Sequence, residues 1–260
     1  MMSQDSLQRA VGAAGIEVPP FFFAETDSTN TMALELARQG VPEWTVVAAG
    51  HQRSGRGRMG RSWVSAPGRS LLFSLVLRPK LPPDRAPLLS LLAAVAAIEA
   101  CEIPELLSKW PNDLVIGGRK VGGILAEGRI QGTALEHVVV GMGLNVAMGE
   151  QDFPEELRES ATSLATAGGE HELGSLLTAI LSGFREEYER QDDRFAVRVV
   201  GRYLSRCDTV GRRVRATTTE GATVEGQAVG LDPRGGLQVR TAAGLEVVAF
   251  GEIAHLDRAV

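Results

Sequence analysis

The chain has 260 residues, of which 44% are hydrophobic and 23% charged, and a formal net charge of −5. That is ordinary globular usage, long enough for one large and one small domain, so no disulfide or metal is needed to hold a core. The acidic balance argues against bulk binding to nucleic acid or to an anionic membrane.

The two cysteines, Cys101 and Cys207, lie far apart and outside metal-ligand spacing. The residues before Phe21 carry no continuous apolar segment of the secretory kind, and they are too few for a winged-helix domain. The most hydrophobic stretch, 86–98, falls short of the roughly 20 residues that span a bilayer and has the length of a buried helix. The expectation is a reduced, cytoplasmic protein with no membrane segment.

In chain order, the first helix is expected near Ser28. Asp27, Ser28 and Thr29 are good N-cap types, Met32, Leu34, Leu36 and Ala37 are its apolar residues, and Gly40 stops it. A β-branched run at 45–49 reads as a strand. A glycine–arginine loop, 51–60, separates it from a second strand, 70–77. Pro79, Pro82 and Pro83 then punctuate the chain before a helix over 84–101, with Asp84 as its cap and Pro87 in its first turn. Strands at 114–116, 121–126 and 135–140 follow. Two helices come next, 172–192 and 193–206, the first with Leu176, Leu177, Ile180, Leu181, Phe184 and Tyr188 at helical spacing. Beyond Asp208 the pattern becomes short strands, 210–217, 223–231, 236–240 and 245–250. Turns at Glu220-Gly221, 232–236 and Ala243-Gly244 join them, which fits a small β-barrel. The expected division is 1–208 for the larger domain and 209–260 for the barrel.

Three segments carry chemistry. The first is Gly55-Arg56-Gly57-Arg58-Met59-Gly60-Arg61-Ser62-Trp63. Its glycines let a ligand approach backbone, and its arginines suit carboxylate and phosphate oxygens. A loose RNA-binding segment has similar composition, but here the run sits between strands of an acidic globular chain. The second is Lys109-Trp110-Pro111-Asn112-Asp113 with Gly117-Gly118-Arg119-Lys120-Val121-Gly122-Gly123-Ile124. Pro111-Asn112-Asp113 is turn chemistry, and Lys120 opens a strand beside two glycines, where a lysine can neutralise charge developing on an acyl or phosphoryl oxygen. The third, Gly141-Met142-Gly143-Leu144-Asn145, reads as the end of a strand. It lacks the third glycine and following helix of a dinucleotide fingerprint. His51, His137, His171 and His255 are scattered without metal-ligand spacing, and no hydrolase nucleophile elbow occurs.

Thr26-Asp27-Ser28-Thr29-Asn30, Gln52, and these three segments appear in the order and spacing of biotin–protein ligases, and Gly251-Glu252-Ile253 resembles the close of their small β-barrel. The resemblance implies an α+β fold: a mixed-sheet ligase core, class II synthetase-like and of the biotin/lipoate ligase type, with a C-terminal SH3-like β-barrel. It implies ATP and Mg2+ as requirements, biotin as substrate, and a lysine of a biotin carboxyl carrier protein as acceptor. Biotin-binding positions would be Ser28, Thr29, Asn30, Gln52, Arg56, Gly57, Arg58, Lys120 and Gly123. Adenylate-binding positions would be Arg58, Arg61, Trp63, Asn112, Gly141 and Asn145. Lys120 and Arg58 would act in catalysis, and Asp113 would mark the magnesium region. A strand edge could pair two copies into a homodimer. With no winged helix, the repressor role and DNA binding found in some members are not expected. The competing readings are a lipoate–protein ligase, and a non-enzymatic nucleic-acid-binding protein using the basic loop.

Overall fold

The computed structural model describes residues 2–218, 221–249 and 251–256. In chain order the elements are α1 (Gln4–Ala13), β1 (Phe21–Phe23), α2 (Thr29–Arg38), β2 (Val46–Ala49), β3 (Gly55–Arg56), β4 (Ser62–Trp63) and β5 (Ser70–Leu77). Then come α3 (Pro87–Cys101), β6 (Leu106–Lys109), β7 (Asp113–Ile116), β8 (Arg119–Gln131), β9 (Ala134–Asn145), α4 (Leu173–Tyr188) and α5 (Phe195–Leu204). The last five strands are β10 (Arg213–Thr218), β11 (Thr223–Leu231), β12 (Leu237–Thr241), β13 (Gly244–Val248) and β14 (Gly251–His255).

A seven-stranded mixed sheet, in the order β1-β2-β5-β9-β8-β7-β6, forms the main layer. Only β1 and β2 pair in parallel; every other ladder is antiparallel. Central strand β5 is buried throughout, which is why it reads as a nearly unbroken apolar run. Leu71, Phe73, Leu75 and Leu77 point into the large core with α3 and α4, while Val76 joins Val47 and Val139 under Ala33 and Ala37 of α2. Helix α3 is apolar on almost every side because it is wrapped by the sheet, α4 and α5.

The C-terminal strands form a five-stranded antiparallel sheet in the order β13-β12-β11-β10-β14. Among the described residues no ladder joins its outer strands, β13 and β14. Trp110 fixes this sheet to the core. Its backbone N–H donates to Thr209 Oγ1 at 3.0 Å, and its indole Nε1 donates to the Gly235 carbonyl at 2.9 Å.

Several expectations change. Asp84 does not cap α3: it lies in a 3-10 turn, Pro83–Arg85, that runs into the helix, and its carboxylate pairs with Arg234 at 3.1 Å. Ser28 is the N-cap residue of α2, but its hydroxyl makes no capping bond. Strand β9 does not stop before Gly141; it continues to Asn145, because Gly141 and Gly143 stay extended between β5 and β8. Helix α1, not expected, forms behind a Ser3–Ser6 capping box and buries Leu7, Ala10 and Val11. The strand expected over 245–250 is β13, and Phe250 lies outside the described residues, as does Glu220 of the expected turn. Among the described residues no helix is long and apolar enough to cross a membrane.

Candidate active site

A cleft of about 200 Å3 opens where β8 and β9, the N-terminus of α2, the glycine–arginine loop and β14 meet. Its lining holds Ser28, Thr29, Asn30, Gln52, Arg56, Gly57, Arg58, Arg61, Trp63, Asn112, Asp113, Lys120, Gly123 and Gly141. Asn145 is not among the lining residues. It is buried at the end of β9, where its Nδ2 donates to the Thr162 carbonyl at 3.1 Å and its Oδ1 has no partner. Sequence reasoning did not single out Leu125, or Glu252 and Ile253 as lining groups, and the cleft includes all three.

One end of the cleft is lined mainly by neutral polar groups and is strongly cross-linked. Gln52 Oε1 accepts from the Thr29 backbone N–H at 2.7 Å and from its hydroxyl at 2.9 Å, so Gln52 caps the helix in place of Ser28. Its carboxamide nitrogen is left as the donor for the cleft. Ser74 Oγ lies 2.8 Å from Asn30 Oδ1 and 2.9 Å from Thr29 Oγ1. Asn30 Nδ2 donates to Glu127 at 2.8 Å and to the Leu125 carbonyl at 3.3 Å, which immobilises the amide. Gly141 makes this possible: a Cβ there would stand 2.0 Å from Asn30 Oδ1.

The other end is cationic. Lys120 Nζ lies 2.6 Å from Asp113 Oδ1 and 5.7 Å from the centre of the Trp63 ring, within cation–π range. The indole packs against Gly143, where a Cβ would stand 2.5 Å from it, so the ring needs bare backbone there. The loop folds as a short hairpin, with Gly55 opposite Trp63 and Arg56 opposite Ser62, and Met59 takes a left-handed φ of 53° at its tip. Its arginines each make contacts back to the protein, although Arg56 and Arg61 stay exposed. Arg56 makes a two-pronged contact with Glu127 at 2.7 and 3.0 Å, and Arg61 pairs with Glu252. Arg58 makes only two long contacts, both 3.4 Å, to Asn112 Oδ1 and the Gly251 carbonyl. Burial holds its guanidinium below the usual arginine range, an effect the carboxylates of Asp113 and Glu252 oppose. A desolvated, weakly paired cation is suited to receive an anion. Among the described residues no three His, Cys, Asp or Glu side chains gather in a metal-binding group.

The model of the biotin/lipoate A/B protein ligase family matches residues 22–145, and that of the biotin protein ligase C-terminal domain matches residues 209–256. The biotin–[acetyl-CoA-carboxylase] ligase of Paracoccus denitrificans is 34% identical over 241 residues, covering 88% of this chain and 98% of that protein. The chain belongs to the biotin–protein ligase family. The bifunctional ligase/repressor of Bacillus spizizenii is 37% identical to the ligase over 230 residues, 87% of this chain and 70% of that protein. Among solved structures, biotin protein ligase from Aquifex aeolicus in complex with biotin and ATP superposes with a TM-score of 0.74 at 30% identity. That match covers 90% of this ligase and 97% of the Aquifex chain. The lipoate alternative is not favoured by relatives named for biotin.

Proposed function

We propose that this cleft joins biotin to ATP as biotinyl-5'-AMP and then transfers the biotinyl group to a lysine of a biotin carboxyl carrier protein. The observation that carries the reading is the polarity of the cleft: fixed neutral hydrogen-bonding groups at one end, and Lys120 with the under-paired Arg58 at the other. Ser28, Thr29, Asn30 and Gln52 would surround the neutral ring of biotin, with Gln52 Nε2 as a donor. The chain of biotin would pass along Gly123 and Leu125, leaving its carboxylate near Lys120.

In the first step a carboxylate oxygen attacks the α-phosphorus of ATP and pyrophosphate leaves. Two anions must approach, so the protein contributes positive charge rather than a nucleophile. Lys120, oriented by Asp113, and Arg58 supply it, while Arg61, Trp63 and Asn112 border the nucleotide and Asn145 would support that side from behind. Gly141, expected on the nucleotide side, instead packs against Asn30 at the neutral end. In the second step the acceptor amine attacks the acyl carbon, AMP departs, and the amine loses a proton as the amide forms. Closure of the loop, with Arg56 and Gly57, keeps water from the mixed anhydride. Asp113 provides one carboxylate, already shared with Lys120, which fits a magnesium ion brought in on ATP phosphates rather than one held by a protein cage. When bound, the metal would offset phosphate charge.

The division into a catalytic domain, 1–208, and a C-terminal domain, 209–260, is part of the proposal, supported by the separate family match over 209–256. So is an SH3-like closure of the C-terminal strands, which the meandering order β13-β12-β11-β10-β14 favours. Homodimerisation would use an outer strand of either sheet. A cytoplasmic location suits the carrier-protein acceptor. The deciding experiment incubates the protein with biotin, radiolabelled ATP and magnesium, then adds a carrier domain. Labelled biotinyl-adenylate followed by a biotinylated carrier is expected; lipoyl-adenylate formed in preference would overturn the substrate assignment.

A further inference from the structure

Glu127 stands on β8 beside the cleft without lining it, and one carboxylate there holds two lining residues from different elements. Asn30, at the start of α2, donates to Oε2 at 2.8 Å, and Arg56, on β3, donates to Oε2 at 3.0 Å and to Oε1 at 2.7 Å. Asn30 belongs to the floor and Arg56 to the loop over it. The backbone of Glu127 is itself fixed by its ladder to Val139 in the middle of the sheet. A typical exposed ion pair contributes little, but a two-pronged guanidinium–carboxylate contact shared with a third group is the exception.

This geometry bears on what Arg56 does. Both of its terminal nitrogens are committed to Glu127, whereas Arg58 makes only long contacts to neutral oxygens. We infer that Glu127 is a positioning residue that clamps the loop, through Arg56, to the floor, through Asn30. The anion at the reacting centre is then left to Arg58 and Lys120. This rests on the biotin–ATP reading of the cleft. The opposing arrangement is a switch, in which Arg56 abandons Glu127 for the incoming anion. The two differ in sign. If Glu127 clamps, removing its charge loosens the loop and weakens biotin binding; if it competes, removing its charge releases Arg56 and strengthens binding.

The test compares Glu127→Gln, Arg56→Gln and the double variant in the full chain. Glutamine keeps the shape but offers one accepting oxygen in place of two. In the absence of ligand, trypsin should cut the 56–61 segment of Glu127→Gln roughly tenfold faster than in the wild type, the size expected for one lost charge-assisted hydrogen bond. The KM for biotin should rise about tenfold with kcat within about threefold, and the double variant should be no worse than either single one, since the pair acts as a unit. Tighter biotin binding by Glu127→Gln, additive losses, or unchanged trypsin cutting would each overturn the clamp. A wild type that makes no biotinyl-adenylate would remove the proposed function instead, and the trypsin comparison would still decide the clamp.

Discussion

Lys120 has two neighbours that define its task, the Asp113 carboxylate at 2.6 Å and the face of Trp63. It carries little core packing, so Lys120→Ala should leave the melting temperature nearly unchanged. Loss of one preorganised charge contact should lower turnover by about 10²–10³. A variant that turns over at the wild-type rate under saturating substrates would take Lys120 out of the chemistry. Arg58 has a different environment, half-buried and held only by long contacts to Asn112 and Gly251. In the proposed function its guanidinium would both offset charge as the adenylate forms and hold the adenylate afterwards, and retention is the role that its loss should expose. Arg58→Gly should therefore leak biotinyl-adenylate, a mixed anhydride that acylates lysines on bystander proteins. Blotting an unrelated lysine-rich protein for biotin checks this: labelling above wild type is expected. A bystander that stays unlabelled while the variant still consumes ATP and biotin would assign retention elsewhere.

At the scale of elements, the glycine–arginine hairpin rests on side-chain contacts to Glu127, Glu252 and Gly251 and buries little of itself. Such a segment belongs to the low-stability end of a fold. Biotin with ATP should slow protease cleavage between Arg56 and Arg61, and equal cleavage with and without ligands would contradict ordering. Strand β9 makes a separate prediction through His137, which is buried with an unpartnered Nδ1. Burial pushes its pKa down, reinforced by Arg78, Arg129 and Arg38 and opposed by Glu136. A depressed histidine leaves the folded state fully stabilised above the unfolded value of about 6.5 and costs stability as the pH falls toward the folded value. Denaturant midpoints of His137→Phe between pH 7 and 5 should fall less steeply than those of the wild type.

How much of this was legible in the sequence differs by element for physical reasons. Strand β5, an apolar run, and strand β11, a run bounded by turn residues, both lie at the boundaries the sequence predicts. Strand β9 was read too short because glycines usually end strands, whereas here Asn30 and Trp63 press on the bare backbone. The clustering of the site residues was legible through motif order. Glu127 was not, since it is defined by a partner 71 residues away and carries no local pattern. Glu252 was legible as part of the closing Gly251-Glu252-Ile253 but not as the partner of Arg61, 191 residues away.

On the scale of the whole molecule, the cleft is not the property of the large sheet alone. Gly251, Glu252 and Ile253 complete its wall, so its shape depends on how the C-terminal sheet is seated. Trp110 is the main rivet, 2% exposed, with one hydrogen bond to Thr209 and one from its indole to the carbonyl of Gly235. Trp110→Phe keeps the aromatic packing and the backbone bond to Thr209 but strips the Gly235 carbonyl of its donor. Leaving a buried acceptor unpaired costs about 1–3 kcal/mol, which denaturant titration can read directly. Because β14 also holds Arg58 and Arg61 of the loop, a shifted C-terminal sheet should carry the cationic end of the cleft with it. The KM for ATP should then rise together with the loss of stability, while the KM for biotin, a ligand proposed to sit against the start of α2 and Gln52, should be affected less. A variant that loses stability yet keeps both KM values would show that the C-terminal sheet only covers the core and does not shape the site.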